Sequence, residues 1–239
     1  MRPWEIVDRA AAPDGTELTL SRRGDDWEVG AGGKTLMSTR MHASEESLAQ
    51  VALSIVPDAR HVLVGGLGLG FTLRATLDRV PEDAHVVLAE LSPAIVAWNE
   101  RFVGNFADRP LADPRVELRV GDVRGQLLAG RGVYDVILLD VDNGPTAMVQ
   151  EDNARLYGDA GARECLAALR TGGVLAVWSA APDQRYLARL RYAGFAAEAK
   201  IVRAHRGGGV QHVIFLARKL PHEHGRPADE RRPRYSRHR

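Results

Sequence analysis

The chain has 239 residues, 45% of them hydrophobic, and 32 Lys and Arg against 31 Asp and Glu leave a net charge of +1. That composition supplies a sizeable buried core and no global attraction to nucleic acid or an anionic membrane. The lone cysteine, Cys165, excludes an intramolecular disulfide and a Cys-cluster metal site.

The first forty residues read as a small antiparallel sheet. Short, partly alternating runs at Trp4–Arg9, Thr16–Ser21, Trp27–Gly30 and Lys34–Thr39 are separated by Pro13-Asp-Gly15, Arg23-Gly-Asp-Asp26 and Gly30-Ala-Gly-Gly33, which are turn sequences. Residues 1–43 are therefore expected to form an N-terminal β module. Ser44 precedes Glu45, Glu46 and an apolar stripe (Leu48, Val51, Ala52, Ile55), which predicts a helix start.

From His61 the pattern changes to alternating strands and helices. Strands are predicted at His61–Val64, His85–Glu90, Arg115–Val120, Tyr134–Asp140, Gly173–Ser179, Ala196–Val202 and Val210–Ala217. Helices are predicted at Phe71–Arg79, Pro93–Val103, Val123–Leu128, Leu156–Arg170 and Asp183–Ala193. Ser92-Pro93 reads as an N-cap followed by proline in the first helical turn. Alternation of this kind predicts a mostly parallel, doubly wound α/β sheet with helices on both faces. Only a seven-residue turn separates the last two strands, too short for a crossover helix, so they should form an antiparallel hairpin. A seven-stranded parallel sheet closed by one reversed strand is the architecture of the class I S-adenosylmethionine-dependent transferases. Residues 44–218 are expected to be that nucleoside-cofactor-binding domain. Residues 219–239 form a basic tail, with seven Lys and Arg against three Asp and Glu, and too few apolar groups to offset ordering entropy.

The candidate site follows from the strand ends. Gly65, Gly66, Gly68 and Gly70 let the chain turn tightly after the first core strand and approach a ligand with no Cβ in the way. Glu90 ends the next strand, where a carboxylate can accept both hydroxyls of a ribose. Asp122, after the third, can accept from an adenine amine with Val123 beside the ring. Asp140 ends an apolar central strand at the carboxyl edge of the sheet, where it can orient or deprotonate an attacking amine. Asp142 and Asn143, in the loop that follows, together with Tyr157 and Trp178, are substrate-pocket candidates. Cys165 reads as a buried structural thiol. The histidines show no metal-ligand spacing, His222-Glu-His224 included, and no metal is expected. With no signal-like or membrane-spanning apolar run, a cytoplasmic location is expected.

Taken together, the chain resembles the spermidine/spermine synthase family, the polyamine aminopropyltransferases, from Leu36 to about Val177. The likeness rests on Leu36-Met-Ser-Thr39 with Ser44-Glu45, Asp113-Pro-Arg-Val116 with Gly121-Asp122, Tyr134-Asp-Val-Ile137 with Asp140, Gly144-Pro145, Leu156-Tyr157, and Leu169-Arg-Thr-Gly-Gly-Val-Leu175. The resemblance implies that Glu90 binds ribose, Asp122 binds adenine and Asp140 is the base, with decarboxylated S-adenosylmethionine as the usual cofactor. The departures concern amines. The turn carries Gly68 where the family has an Asp that meets the cofactor's propylamine. Leu48, Ala49 and Gln50 stand for Tyr-His-Glu. The acidic loop is shortened, with Asn143 in place of its second Asp. The preferred expectation is therefore a spermidine-synthase-like transferase using S-adenosylmethionine to move a methyl or other group to a small non-polyamine acceptor. The alternatives are a true aminopropyltransferase using the decarboxylated cofactor, and a non-catalytic nucleoside-binding scaffold. Neither a nucleic-acid nor a membrane partner is expected; a homodimer is, from the sheet edges of the N-terminal module.

Overall fold

The computed structural model describes residues 2–141, 155–205 and 208–221. Four antiparallel strands, β1 (Glu5–Ala11), β2 (Glu17–Arg23), β3 (Asp26–Ala31) and β4 (Lys34–Ser38), form the N-terminal sheet in sequential order. Positive φ at Gly15, Gly24, Gly32 and Gly33 accommodates its turns. Helix α1 (Ala43–Leu53) then leads into the larger sheet. The expected start at Ser44 needs correcting: His42 occupies the N-cap, and the Ser44 side chain is used elsewhere.

The large sheet has seven strands. β5 (His61–Gly65), β6 (His85–Glu90), β7 (Val116–Val120), β8 (Tyr134–Leu139) and β9 (Leu169–Ser179) are parallel, while β10 (Phe195–His205) and β11 (Gly208–Lys219) form the hairpin. The order is β10-β11-β9-β8-β5-β6-β7, and β11 runs antiparallel to β9 as well as to β10. The direction of winding reverses between β5 and β8, so the crevice for a ligand opens at their carboxyl ends. Helices α2 (Phe71–Leu77), α3 (Pro93–Trp98), α4 (Val123–Ala129), α5 (Asp159–Ala168) and α6 (Gln184–Tyr192) connect the strands.

Several predicted boundaries shift. The helix expected over Pro93–Val103 is α-helical only to Trp98, becomes a π turn over Asn99–Val103, and is followed by 3-10 turns at Gly104–Ala107 and Pro110–Ala112. The Asn99 side-chain amide donates to Ile95 O at 3.0 Å and to Gly68 O at 2.8 Å, so this widened turn is tied to the glycine segment. Ser92 supplies no side-chain cap to α3; its main-chain N–H instead donates to Glu90. The helix expected over Leu156–Arg170 is shorter, and its last residues open strand β9.

Alternation of side chains across the sheet divides the core. On one face Val62, Val64, Val136, Leu138, Val174, Ala176, Ile214 and Leu216 pack with Leu48, Ala49 and Ala52 of α1 and Leu73 of α2. Leu18, Leu20, Trp27 and Val29 of the small sheet belong to that same cluster, so the N-terminal module shares its core with the large domain. On the other face Leu63, Ile137, Leu139, Leu175, Val177 and Phe215 pack with α4, α5 and α6. Cys165 is buried there with its thiol pushed up to about 12 by desolvation, consistent with a structural residue. No helix among the described residues is long and apolar enough to cross a membrane.

Candidate functional site

The glycine turn leaves β5 at the switch point. Gly65 pairs with Ala89 of β6 and Leu139 of β8, and beyond it Gly66 N–H donates to Ala89 O at 2.8 Å and Asp140 N–H to Gly65 O at 2.8 Å, so the turn is clamped between β6 and β8. Gly66 has φ +90°, and a Cβ there would stand 2.2 Å from Asp140 O; only glycine fits. Gly68 has φ +53° and lies under Met37 of β4, whose Sδ would be 3.2 Å from an added Cβ. Gly70, at φ +90°, caps α2.

Glu90 meets this turn from β6. It is 7% exposed; Oε2 accepts the Leu67 N–H at 2.7 Å and Oε1 accepts the Ser92 N–H at 2.8 Å. Two main-chain donors thus fix the carboxylate at the tip of its strand, against the glycine segment. Asp122 lies beyond β7, exposed, and accepts the Arg124 N–H at 2.8 Å as the N-cap of α4. Val123 is 5% exposed and packs on Gly65, where its Cγ2 would be 2.9 Å from a Cβ. The turn, Glu90 and Asp122 with Val123 thus stand at or just beyond the carboxyl ends of the neighbouring strands β5, β6 and β7. A glycine surface that admits close approach, an oriented carboxylate and a second strand-end acid suit a nucleoside cofactor.

The remaining candidate, Asp140, lies on the face covered by α1 and α2. Asp140 follows β8, and its Oδ2 accepts from Thr72 Oγ1 of α2 at 2.5 Å. Burial pushes its carboxyl up to about 6 against the opposing hydrogen bond from Thr72. Glu45, in the first turn of α1, faces it. Burial first and the Asp140 charge second push Glu45 up to about 7, while a 2.6 Å hydrogen bond from Ser44 Oγ opposes the shift. Two carboxylates in one partly buried site cannot both ionise freely, so around neutral pH the pair retains a proton. Leu53's neighbours Leu48 and Ala49 are fully buried against the sheet, so the positions where the resembling family has Tyr and His contribute packing.

Trp178 is the penultimate residue of β9, level with Asp140, since Leu139 pairs with Val177 on the adjacent strand. Its ring meets that of His212 from β11 edge to face, with centroids 4.7 Å apart, and its buried Nε1 has no hydrogen-bond partner among the described residues. His212 Nδ1 lies 3.1 Å from Ser44 Oγ. Trp178 is thus linked through His212 to Ser44 and, by way of Ser44, to Glu45. Tyr157 is not, and this corrects the expectation: it is 1% exposed, donates its hydroxyl to Val141 O at 2.9 Å and packs edge to face on Tyr186. Asp142 and Asn143 lie outside the described residues, as does the tail from His222.

Glu45, Ser44, Thr72 and His212 are the site residues that sequence reasoning missed. The one available signal was Glu45 itself, on which the alignment with the resembling family's helix rests. Its role as an acid in a first helical turn gave it a sufficient local explanation.

Comparison with models of known protein families finds no match. Among curated proteins, the chain is 31% identical over 131 residues to putrescine N-methyltransferase 3 of Nicotiana tabacum, covering 54% of this chain and 32% of that one. It is 27% identical over 139 residues to a polyamine aminopropyltransferase of Prochlorococcus marinus, covering 58% and 47% respectively. The chain therefore spans less than half the length of either relative. Among solved structures, spermidine synthase from Thermotoga maritima matches with a TM-score of 0.74 at 18% identity, covering 90% of this chain and 72% of that one. The chain is thus similar in sequence to proteins named putrescine N-methyltransferase and polyamine aminopropyltransferase, and its fold is that of spermidine synthase.

Proposed function

We propose that the chain is an S-adenosylmethionine-dependent transferase that moves a methyl group to an amine acceptor. Bound S-adenosylmethionine would supply a methyl carbon activated by the neighbouring sulfonium. Gly65, Gly66, Gly68 and Gly70 would hold its amino-acid end, Glu90 its ribose and Asp122 with Val123 its adenine. Asp140 and Glu45 would hold the acceptor's ammonium, remove its proton and align the nitrogen, which is chiefly a matter of position.

The observation that carries methyl transfer is Gly68. Where the resembling family has a carboxylate to meet a propylamine, this turn presents bare main chain beneath a methionine thioether. Such a surface offers no anionic partner to the decarboxylated cofactor and no repulsion to the carboxylate of the intact one. A similar protein named putrescine N-methyltransferase supports the same choice. Aminopropyl transfer is the second reading, favoured by Glu45 beside Asp140. That pair restores part of the amine-directed charge lost elsewhere, and a similar protein carries the name polyamine aminopropyltransferase. For the same reason an amine acceptor, polyamines included, is favoured over the non-polyamine acceptor expected from the sequence.

Calorimetric titration with S-adenosylmethionine, its decarboxylated form and methylthioadenosine, with and without putrescine, separates these readings. Methyl transfer requires tighter binding of the intact cofactor and loss of that binding in Glu90→Ala by at least about tenfold. Preference for the decarboxylated form, strengthened by putrescine, would reverse the assignment. Absence of binding to all three would leave the scaffold reading.

A further inference from the structure

Transfer of a methyl group to an ammonium-bearing acceptor releases one proton per turnover, which must leave a partly buried site. From Asp140 and Glu45 a line of hydrogen-bonding groups runs away from the sheet edge. Ser44 Oγ donates to Glu45 Oε2 at 2.6 Å, and His212 Nδ1 lies 3.1 Å from the same hydroxyl. Ser44 is 1% exposed, whereas His212 is only half-buried, with Nδ1 as the ring nitrogen that meets Ser44. The residues come from α1 and β11, 168 positions apart, so their alignment is a product of the fold.

We propose that Glu45, Ser44 and His212 form a proton wire from the acceptor-side carboxylates to the protein surface. The reading of the site as an amine-directed transferase supplies the proton; the wire itself follows from the hydrogen-bond inventory. A serine has one hydrogen. When Glu45 is ionised, that hydrogen points to Glu45, and His212 must donate from Nδ1 to Ser44 Oγ. When Glu45 is protonated and donates to Ser44 Oγ, the serine hydrogen turns to His212, which must then present a bare Nδ1 and carry its proton on Nε2. The chain has two polarities, set by one proton.

The transfer balances. The acceptor nitrogen loses its proton to Glu45. The Glu45 proton then passes to Ser44 Oγ as the serine's own hydrogen passes to Nδ1 of His212, leaving Glu45 ionised and His212 doubly protonated. His212 releases the Nε2 proton to water and is left as the Nδ1–H tautomer donating to Ser44, the resting arrangement for ionised Glu45; before the next turnover the ring takes one proton from water on Nε2 and gives its Nδ1 hydrogen to water, so that each cycle exports one proton net. No bond other than those to hydrogen changes.

The surroundings fit this role. Asp140 from the end of β8 and Glu46 from the same helix raise the proton affinity of Glu45; Glu46 is itself paired with His42 at 2.8 Å. Thr72 of α2 contributes a hydroxyl to Asp140 and Trp178 of β9 a ring edge to His212. Among the described residues no cation is a cause of the shift at Glu45 or Asp140, so no positive charge lowers the proton affinity of either carboxylate. Burial lowers the proton affinity of His212, which favours release over retention.

The test is ring-nitrogen NMR of the full chain labelled at histidine, followed from neutral to alkaline pH. His212 should hold its proton on Nδ1 when Glu45 is ionised and move it to Nε2 as Glu45 takes up a proton. In Ser44→Ala and in Glu45→Gln this exchange should no longer follow pH. A single His212 tautomer throughout in the wild type, or an unaltered exchange in Ser44→Ala, would overturn the wire. With S-adenosylmethionine and putrescine as probes, His212→Ala should lower kcat by about tenfold or more with KM unchanged, and added imidazole should restore it; an undiminished kcat counts against the wire. Failure of the wild type to bind S-adenosylmethionine would count against the transferase reading alone, because the tautomer measurement needs no turnover.

Discussion

Asp140 is the residue at which both halves of the site meet. Its main-chain N–H and carbonyl hold the glycine turn, through Gly65 O and the close approach of Gly66, while its side chain faces Thr72 and Glu45. The two roles can be separated by a change that spares the backbone. Asp140→Asn should reduce transfer by roughly a hundred- to ten-thousand-fold, the range for removal of a positioned base, while S-adenosylmethionine affinity stays within about twofold. Single-turnover rates alongside calorimetry check this, and retention of near wild-type turnover would remove Asp140 from the chemistry. Glu90 and Asp140 were legible in the sequence because each ends an apolar run, and a strand-end acid has one place to stand in a parallel sheet. Glu45 was not: its partner Asp140 is far away in sequence, and two acids in a first helical turn already complement the helix dipole. Tyr157 failed in the opposite direction. An aromatic residue after a loop looks like a pocket wall, but burial against Tyr186 and a hydrogen bond to Val141 O make it part of the core.

Among the elements, the glycine turn depends most on conformation. Gly66→Ala would place a methyl 2.2 Å from Asp140 O at φ +90°, so either the turn or the end of β8 must move. Strain and overpacking together should cost roughly 2–4 kcal/mol, seen as a fall in Tm of roughly 5–15 °C and loss of cofactor binding. Unchanged stability would show that the turn can relax and that its glycine is not required by packing. The strands and the closing hairpin could be read from sequence because their signals are local: β-branched runs, and a connection too short for a crossover. The π turn at Asn99–Val103 could not. Its cause is tertiary, an Asn99 amide shared between Ile95 O and Gly68 O, which draws the helix end toward the glycine turn. Period and composition alone predict that the helix simply continues.

Across the whole molecule, the buried acid pair should leave a mark on stability against pH. Glu45 rises from 4.5 to about 7 and Asp140 from 3.8 to about 6 on folding. The folded state therefore binds more protons than the unfolded chain across that interval, and stability falls as pH rises through it. The pair's contribution is fully present below about pH 4 and is lost by about pH 7. Asp113 works in reverse: its bidentate contact with Arg115 lowers it from 3.8 to about 2, so its contribution exists above the ordinary carboxylate range and disappears as pH falls toward 2. His212, lowered by burial, adds stability as pH rises through its unfolded value of 6.5 and so partly opposes the acid pair. The decisive quantity is the difference between the wild type and the double variant Glu45→Gln, Asp140→Asn. The double variant should be the more stable of the two near pH 7, and its advantage should shrink steadily as pH is lowered to about 4, read as urea midpoints at matched m-values. Because the small sheet and the large one share a core through Leu20, Trp27 and Val29, a single cooperative transition should report this difference. An advantage that is constant with pH would mean that the two carboxylates ionise as they do in the unfolded chain, and that the acceptor side of the crevice holds no proton in reserve.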